Sequence, residues 1–323
     1  MASKHLIRWK FCFFTIAGIT ATVLMWLISQ QPHTLVQKMN WMYFYEYDPI
    51  YKNNFTFTLH EHVKCKDRNP FLVILVTSRP KDALARHTIR LTWGSVNMWL
   101  GHHVKTLFLL GQAPTGDTKT ETLIEEESKL NGDIIQQNFL DTYRNLTLKT
   151  IMAFQWVSEF CSNATYIMKA DSDVFINTPN LLNFLQKFNS SDSLFTGHTF
   201  IENYSERNIF LKNYISYEEY PFRLFPPYCS GLGYVLSGKL ALEIYKIMSH
   251  IKPIWIEDAY VGMCLKVLNV NVHIPEKTDL FFLSKLESSL CKYRSVCAVH
   301  GLSSDEMVTV WKVVQNKTLG ICS

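Results

Sequence analysis

The run Phe71–Thr77 carries no charge and lies between Pro70 and Pro80. A short, continuous apolar segment bounded by proline is the pattern of a β-strand buried on both faces, since a half-exposed strand would alternate. The segments after it change type in turn. Lys81–Trp93 reads as a helix, Val104–Leu110 as a second buried strand closed by Gly111, and Thr118–Leu130 as a polar helix. Asp133–Gln136 reads as a short strand, Leu146–Phe160 as a helix with apolar residues at helical spacing, and Tyr166–Met168 as a strand leading into an acidic turn. Strand alternating with helix predicts an α/β fold built on a mainly parallel sheet covered by helices. Later the pattern loosens, with an irregular stretch at 214–228, a strand near Tyr234–Ser237, and helices at Lys239–Ser249 and Glu257–Leu268.

The first seventy residues predict a different role. Phe11–Ile28 is free of charge, and as a helix it spans about 27 Å, enough for a thin bilayer core. Lys4, Arg8 and Lys10 precede it and no small-residue cleavage site follows, so it reads as a retained type II anchor rather than a cleaved signal. The expected layout is a cytoplasmic tail at 1–10, the anchor at 11–28, an aromatic-rich stem at 29–69 and a lumenal catalytic domain at 70–323. The stem contains Trp41, Tyr43, Phe44, Tyr45 and Tyr47, which suit packing on the domain better than a solvated tether. Net charge is +4, and three of those charges sit in the first ten residues, which leaves no global electrostatic case for nucleic-acid binding. Six sequons, at Asn54, Asn145, Asn163, Asn189, Asn203 and Asn316, fit a secretory lumen, although Asn145 also reads as a helix start. Beyond Cys12 the chain has seven cysteines with no close CxxC pair, which predicts disulfides of unspecified pairing and at least one odd thiol.

In open parallel sheets, ligands bind beyond the carboxyl ends of the strands. Asp171 and Asp173 stand there, one residue apart after Tyr166–Met168. Such a pair can reach one hard divalent cation, Mn2+ or Mg2+, although two acids in a turn can equally be solvated caps. Lys169 is the one nearby base that could neutralise them. Glu257 and Asp258 open a predicted helix; the bland reading is capping, and the functional one is a general base. Cys229–Tyr234 reads as a glycine-bearing turn entering a strand, without the third glycine and helix of a dinucleotide loop. Its glycines suit a close approach of backbone to a ligand or to another segment. His300 is a possible metal ligand or an ordinary polar residue. No serine-hydrolase elbow appears, and no further Asp/His cluster suggests a two-metal phosphohydrolase.

Taken in order, a set of segments resembles the animal Golgi β1,3-glycosyltransferase family. They are Arg86–Gly94, Phe108–Gly111, Gly132–Ile135, Phe139–Tyr143 running into Asn145–Thr150, Lys169–Asn177, Phe195–Gly197, Pro226–Gly231, Glu257–Gly262 and the Val299-His300 pair. The resemblance covers roughly residues 70 to 322. It implies a GT-A-type nucleotide-sugar transferase fold and an inverting, metal-dependent reaction. It also implies Asp173 and His300 as metal ligands, Asp171 supporting the metal or the donor ribose, Asp258 as the base, and Glu257 as a cap or a contact on the acceptor side. Thr77, Arg86 and Lys149 become candidate contacts to the nucleotide of a UDP-sugar donor, although Lys149 could equally be a helix-surface lysine. A closer likeness, in Asn40–Tyr47, Thr147–Phe154 and Tyr217–Pro221, is to family members that transfer N-acetylgalactosamine. It implies UDP-GalNAc as donor and a galactose-terminated glycolipid, a globotriaosyl lipid, as acceptor. Galactose or N-acetylglucosamine donors, or a non-catalytic carbohydrate-binding protein on the same scaffold, are the alternatives. Cys297 stands as an extra thiol relative to the family pattern, free or paired locally with Cys291.

Overall fold

The computed structural model describes residues 20, 43–61, 65, 69–189, 191–276, 280–286 and 290–315. The predicted anchor, apart from Thr20, and the sequon at Asn316 lie outside them. Among the described residues no helix is long and apolar enough to cross a membrane. The chain divides into two compact units: Phe44–Asn203 with Phe225–Ser323, and Tyr204–Leu224 with Met1–Tyr43.

The larger unit is an α/β layer structure. Its elements in chain order are β1 (Phe57–Leu59), β2 (Leu72–Thr77), α1 (Ala83–Leu91), β3 (Met98–Trp99), β4 (His102–Gln112), α2 (Thr118–Asn131) and β5 (Ile134–Leu140). Then follow α3 (Leu146–Phe160), β6 (Tyr166–Asp171), β7 (Val174–Ile176), α4 (Thr178–Leu185), β8 (Phe195–Phe200), β9 (Tyr228–Ser237) and α5 (Gly238–Met248). The last are α6 (Glu257–Val267), β10 (Phe281–Phe282), β11 (Ala298–His300) and α7 (Ser304–Gln315). The main sheet runs β1-β5-β4-β2-β6-β9-β8, with β3 against β4. Strands β5, β4, β2 and β6 are mutually parallel, whereas β9 joins β6, β8 joins β9 and β1 joins β5 antiparallel. All six residues of β2 are buried, as a centrally placed strand with helices on both faces requires. The core they help form includes Ile89, Trp93, Phe108, Met168, Phe175 and Trp311.

Two expectations change. The boundary at residue 69 is not a structural one. Residues from Phe44 onward belong to the large unit: Phe44 is buried, Tyr45 stacks on His250 at 5.1 Å, and β1 adds an edge strand to the sheet. A disulfide from Cys65 to Cys161 ties this segment to the end of α3. Phe44 and Tyr45 thus pack on this unit, whereas Tyr47 is exposed and Trp41 lies outside the described residues. Second, Cys229–Tyr234 is no turn but part of the ten-residue strand β9. Pairing with β6 on one side and β8 on the other supplies hydrogen bonds that outweigh the glycines' weak strand preference.

In the smaller unit, Tyr204–Leu224 has little regular structure and is knit by one side chain. The Arg207 guanidinium donates to the carbonyls of Ile215 (2.6 Å), Tyr220 (2.6 Å) and Phe222 (2.8 Å) and lies over the Tyr217 ring. Tyr43 meets Phe222 edge-on at 5.5 Å.

Candidate active site

The acidic turn is positioned by two sheets at once. β6 delivers Asp171 and Asp173 past its carboxyl end. β7, which follows at once, pairs antiparallel with β11 in a small second sheet, setting Val174 opposite His300. That register carries His300 from 127 residues away to Asp173, with Nε2 3.3 Å from Oδ2. The Asp173 carbonyl also accepts from the backbone of Gly301 (2.9 Å) and Leu302 (3.0 Å). Gly301 has φ +88°, a turn that a side chain would strain, and it swings the chain away just after the histidine.

The His300 Nδ1 lies 3.1 Å from the Leu283 carbonyl. A proton shared with that carbonyl must sit on Nδ1, so Nε2 donates to Asp173 in the imidazolium and offers its lone pair to a cation once that second proton is lost. The Asp173 hydrogen bond holds the imidazole above its ordinary pKa. Burial works to raise Asp173, but His300 outweighs it and keeps the carboxyl below the usual range. Both side chains are partly open to solvent. Neighbouring ligands on an octahedral cation with bonds of about 2.1 Å stand about 3 Å apart, so this oxygen–nitrogen pair fits one divalent ion. Among the described residues no group of three or more His, Cys, Asp or Glu side chains converges as a metal cluster. Asp171 accordingly does not complete a cluster: its Oδ1 accepts from Thr77 Oγ1 at 2.6 Å and from Lys169 Nζ at 2.8 Å.

Lys169 is the hub of the site. It is the one cation in β6 and is buried with its strand neighbours. Its ammonium donates to Asp171 Oδ1 (2.8 Å), Glu257 Oε1 (2.8 Å) and the Gly231 carbonyl (2.6 Å). Burial alone would lower its pKa; Asp171 and Glu257 together outweigh that and hold it above normal. Glu257 is buried, and its other oxygen accepts from Thr150 (2.8 Å) and Tyr234 (3.3 Å). Its oxygens are thus engaged within the protein, and the expected contact with an acceptor gives way to a structural bracket. Gly231 permits this: a Cβ there would lie 2.7 Å from Glu257 Oε1.

Asp258, next along the first turn of α6, accepts from the Gly231 amide at 2.9 Å and from Ala259 at 2.9 Å. It is half-buried. Desolvation and the adjacent Glu257 charge push its pKa up to about 7. A carboxylate poised there can take a proton near neutral pH. Lys169 thus bridges Asp171, two residues before Asp173 in the chain, to Glu257, the neighbour of Asp258.

The nucleotide-side candidates lie behind this front. Thr77 is held on Asp171 by the β2–β6 register, which pairs those two residues. Arg86 is 1% exposed. Its guanidinium is consumed by Glu127, Ser78 Oγ, and the Arg79 and Pro80 carbonyls. It therefore braces the loop after β2 instead of presenting free donors. Lys149 is no surface lysine: it is buried, 2.8 Å from Asp141 Oδ2, and donates to the Ser78 carbonyl at 2.5 Å. Burial lowers its pKa against the pull of Asp141. Together Arg86 and Lys149 hold Ser78–Pro80 from two sides. Thr147 and Thr150, unassigned by sequence reasoning, bind the Ile254 carbonyl (2.6 Å) and Glu257, so one face of α3 fixes the approach to α6. A signal was present: Thr147, Lys149 and Thr150 are three polar residues in a helix whose other residues are mostly apolar.

The sequons divide. Asn54, Asn163 and Asn189 are exposed. The Asn145 amide donates to the Leu140 carbonyl, and the Asn203 amide donates to Tyr228, so both are drawn into the fold. Cys229, Cys264 and Cys297 are buried free thiols, so Cys297 does not pair with Cys291, which is itself disulfide-bonded.

Residues 84–276 match the model of the galactosyltransferase family. A rat protein described as UDP-GalNAc:beta-1,3-N-acetylgalactosaminyltransferase 1 is 54% identical over 317 residues, 98% of this chain and 95% of that protein. Its Homo sapiens counterpart is 52% identical over the same shares. Human beta-1,3-galactosyltransferase 5 is 39% identical over 84% of this chain and 87% of its own. Among solved structures, a glycosyltransferase involved in glycosylation of the PBCV-1 major capsid superposes at TM-score 0.41 and 14% identity, over 76% of this chain and 100% of that one. That superposition is too loose to carry any residue across. The chain belongs to the galactosyltransferase family, and it is a glycosyltransferase by descent.

Proposed function

We propose that this protein transfers N-acetylgalactosamine from UDP-GalNAc, in β1,3 linkage and with inversion, to a galactose-terminated glycolipid, as in converting a globotriaosyl lipid to globoside. The identity with proteins described as N-acetylgalactosaminyltransferases supports the donor. The observation that carries the chemistry is the Asp173–His300 pair, together with the Lys169 bridge from Asp171 to Glu257, whose chain neighbours are the acidic turn and Asp258.

Asp173 and His300 would hold Mn2+ or Mg2+, whose charge there offsets what develops on the departing diphosphate. Asp171, fixed by Thr77 and Lys169, keeps its second carboxylate oxygen for the donor ribose. Arg86 and Lys149 shape the Ser78–Pro80 loop on which the nucleotide rests. Asp258 accepts the proton of the acceptor 3-hydroxyl as that oxygen attacks the anomeric carbon from the face opposite the leaving group. One displacement turns an α-linked donor into a β-linked product, so no side-chain nucleophile is required. The Gly231 amide holds Asp258 Oδ2, and Asp258 turns its carboxylate into the space beside Gly231.

In this reading the fold is of the GT-A type and the chain is a single-pass type II Golgi membrane protein anchored by residues 11–28. Its catalytic domain lies in the lumen, with glycans on Asn54, Asn163 and Asn189. Purified full-length protein assayed against UDP-GalNAc, UDP-galactose and UDP-N-acetylglucosamine, with globotriaosylceramide and lactosylceramide as acceptors, tests it. Product masses showing only galactose transfer would overturn the donor, and no transfer from any donor would overturn the activity.

A further inference from the structure

The Tyr204–Leu224 segment displays an apolar turn that is exposed among the described residues. Phe210 is 89% exposed, Ile209 66% and Leu211 51%, three large apolar side chains in succession. Single exposed apolar residues are ordinary, but a contiguous set on a rigid support is the mark of an interaction surface. The support is rigid here. The Phe210 amide donates to Asn208 Oδ1, the Leu211 amide to the Asn208 carbonyl and the Tyr214 amide to the Leu211 carbonyl. Arg207 clamps the base of the turn through three carbonyls.

Chain length says what lies nearby. Tyr43 belongs to this same unit and meets Phe222, and it follows Ile28, the end of the charge-free segment, by fifteen residues. Even fully extended, that stretch reaches only about 50 Å. With the charge-free segment in a bilayer, this unit can lie no farther than that from it. Tyr43, Tyr204 and Tyr217 are also exposed, and tyrosines, with an apolar body and a polar tip, favour the headgroup level. Charge within 204–224 balances: Glu206, Glu218 and Glu219 against Arg207, Lys212 and Arg223. Attraction to anionic lipid is therefore not the driving force.

We propose that the Ile209–Leu211 turn inserts into the interface of a neutral lipid leaflet, seating this unit on the membrane by apolar side chains. The proposal rests on the reading of residues 11–28 as an anchor. It means that a glycolipid acceptor, which stays in its bilayer, is met by a protein lying on that same surface.

The test uses full-length protein reconstituted in phosphatidylcholine vesicles. Phe210→Trp, compared with wild type to subtract the native tryptophans, should lose roughly half or more of its added emission to lipids brominated near the headgroup. The loss should be the same at low and high salt. Phe210→Glu should lower transfer to glycolipid in the vesicle by roughly tenfold while leaving transfer to the soluble oligosaccharide unchanged. Unquenched emission, quenching that salt abolishes, or equal loss on both acceptors would each overturn the proposal. So would light scattering in which Phe210→Glu dissolves a dimer, since a second copy would then be the occupant. Release of wild type by alkaline carbonate would instead overturn the anchor, and quenching in vesicles that keep the protein still reports on the turn alone.

Discussion

The Lys169 ammonium lies 2.8 Å from Glu257 Oε1, and this buried ion pair joins strand β6, which carries the acidic turn, to helix α6, which carries the base. The segments proposed to act on one substrate are thus tied by a single electrostatic strut. A buried pair of this kind is worth little as net stability, but losing one partner strands the other.

Asp258→Asn keeps the shape and the Gly231 hydrogen bond but removes the proton acceptor. Turnover should fall by about 10²–10⁴, with nucleotide binding and thermal midpoint close to wild type. Steady-state kinetics beside calorimetric UDP titration checks this; near-normal turnover would remove Asp258 as the base.

Because Asp258 must be ionised to act, kcat/KM should rise with pH along a limb centred about pH 7. Burial and the Glu257 charge on its own helix raise that value, while the Gly231 and Ala259 amides and Lys169 on β6 pull it down. Glu257→Gln removes a negative neighbour and should move the limb to lower pH. Lys169→Met removes a positive one and should move it higher, at a stability cost of about 3–5 kcal/mol for the stranded glutamate. The proton is held more tightly in the folded chain than in the unfolded one. Its contribution to stability is therefore complete below the ordinary carboxylate range and lost as pH rises through about 7. Shifts in the same direction for both variants would contradict this electrostatic arrangement.

His300→Ala and Asp173→Asn should each raise the manganese concentration needed for half-maximal rate by at least about tenfold. EDTA should abolish activity in wild type and manganese should restore it. Since Asp173 holds the His300 proton more firmly than usual, that proton competes with the ion, and wild type should need more manganese at pH 6 than at pH 8. A metal requirement indifferent to both substitutions would place the ion elsewhere.

The Cys65–Cys161 bond closes a loop across 96 residues of sequence. Replacing both cysteines with serine should lower stability by about 4 kcal/mol, read as a drop in thermal midpoint. An unchanged midpoint would mean that the segment around Cys65 is held to α3 by its other contacts alone.

Local pattern made most of the layer structure legible. α3 begins and ends where its apolar spacing says, at Leu146 and Phe160, and β2 is buried throughout as its continuous apolar run requires. The long strand β9 was misread from its glycines, because the partners that stabilise it come from distant parts of the chain. The resemblance makes Arg86 and Lys149 candidate nucleotide contacts, but residue type alone could not reveal that protein carbonyls and carboxylates already occupy them.

What the chain order alone determined is the sequence of elements and the presence of acids at a strand's carboxyl end, since periodicity and turn residues act over a few neighbours. Only the folded arrangement decided that His300 faces Asp173, that the Glu257 oxygens are engaged by Lys169, Thr150 and Tyr234, and that Lys169 bridges Asp171 to Glu257. Those pairings depend on strand register and burial across more than eighty residues, and such long-range geometry leaves no local trace in residue spacing.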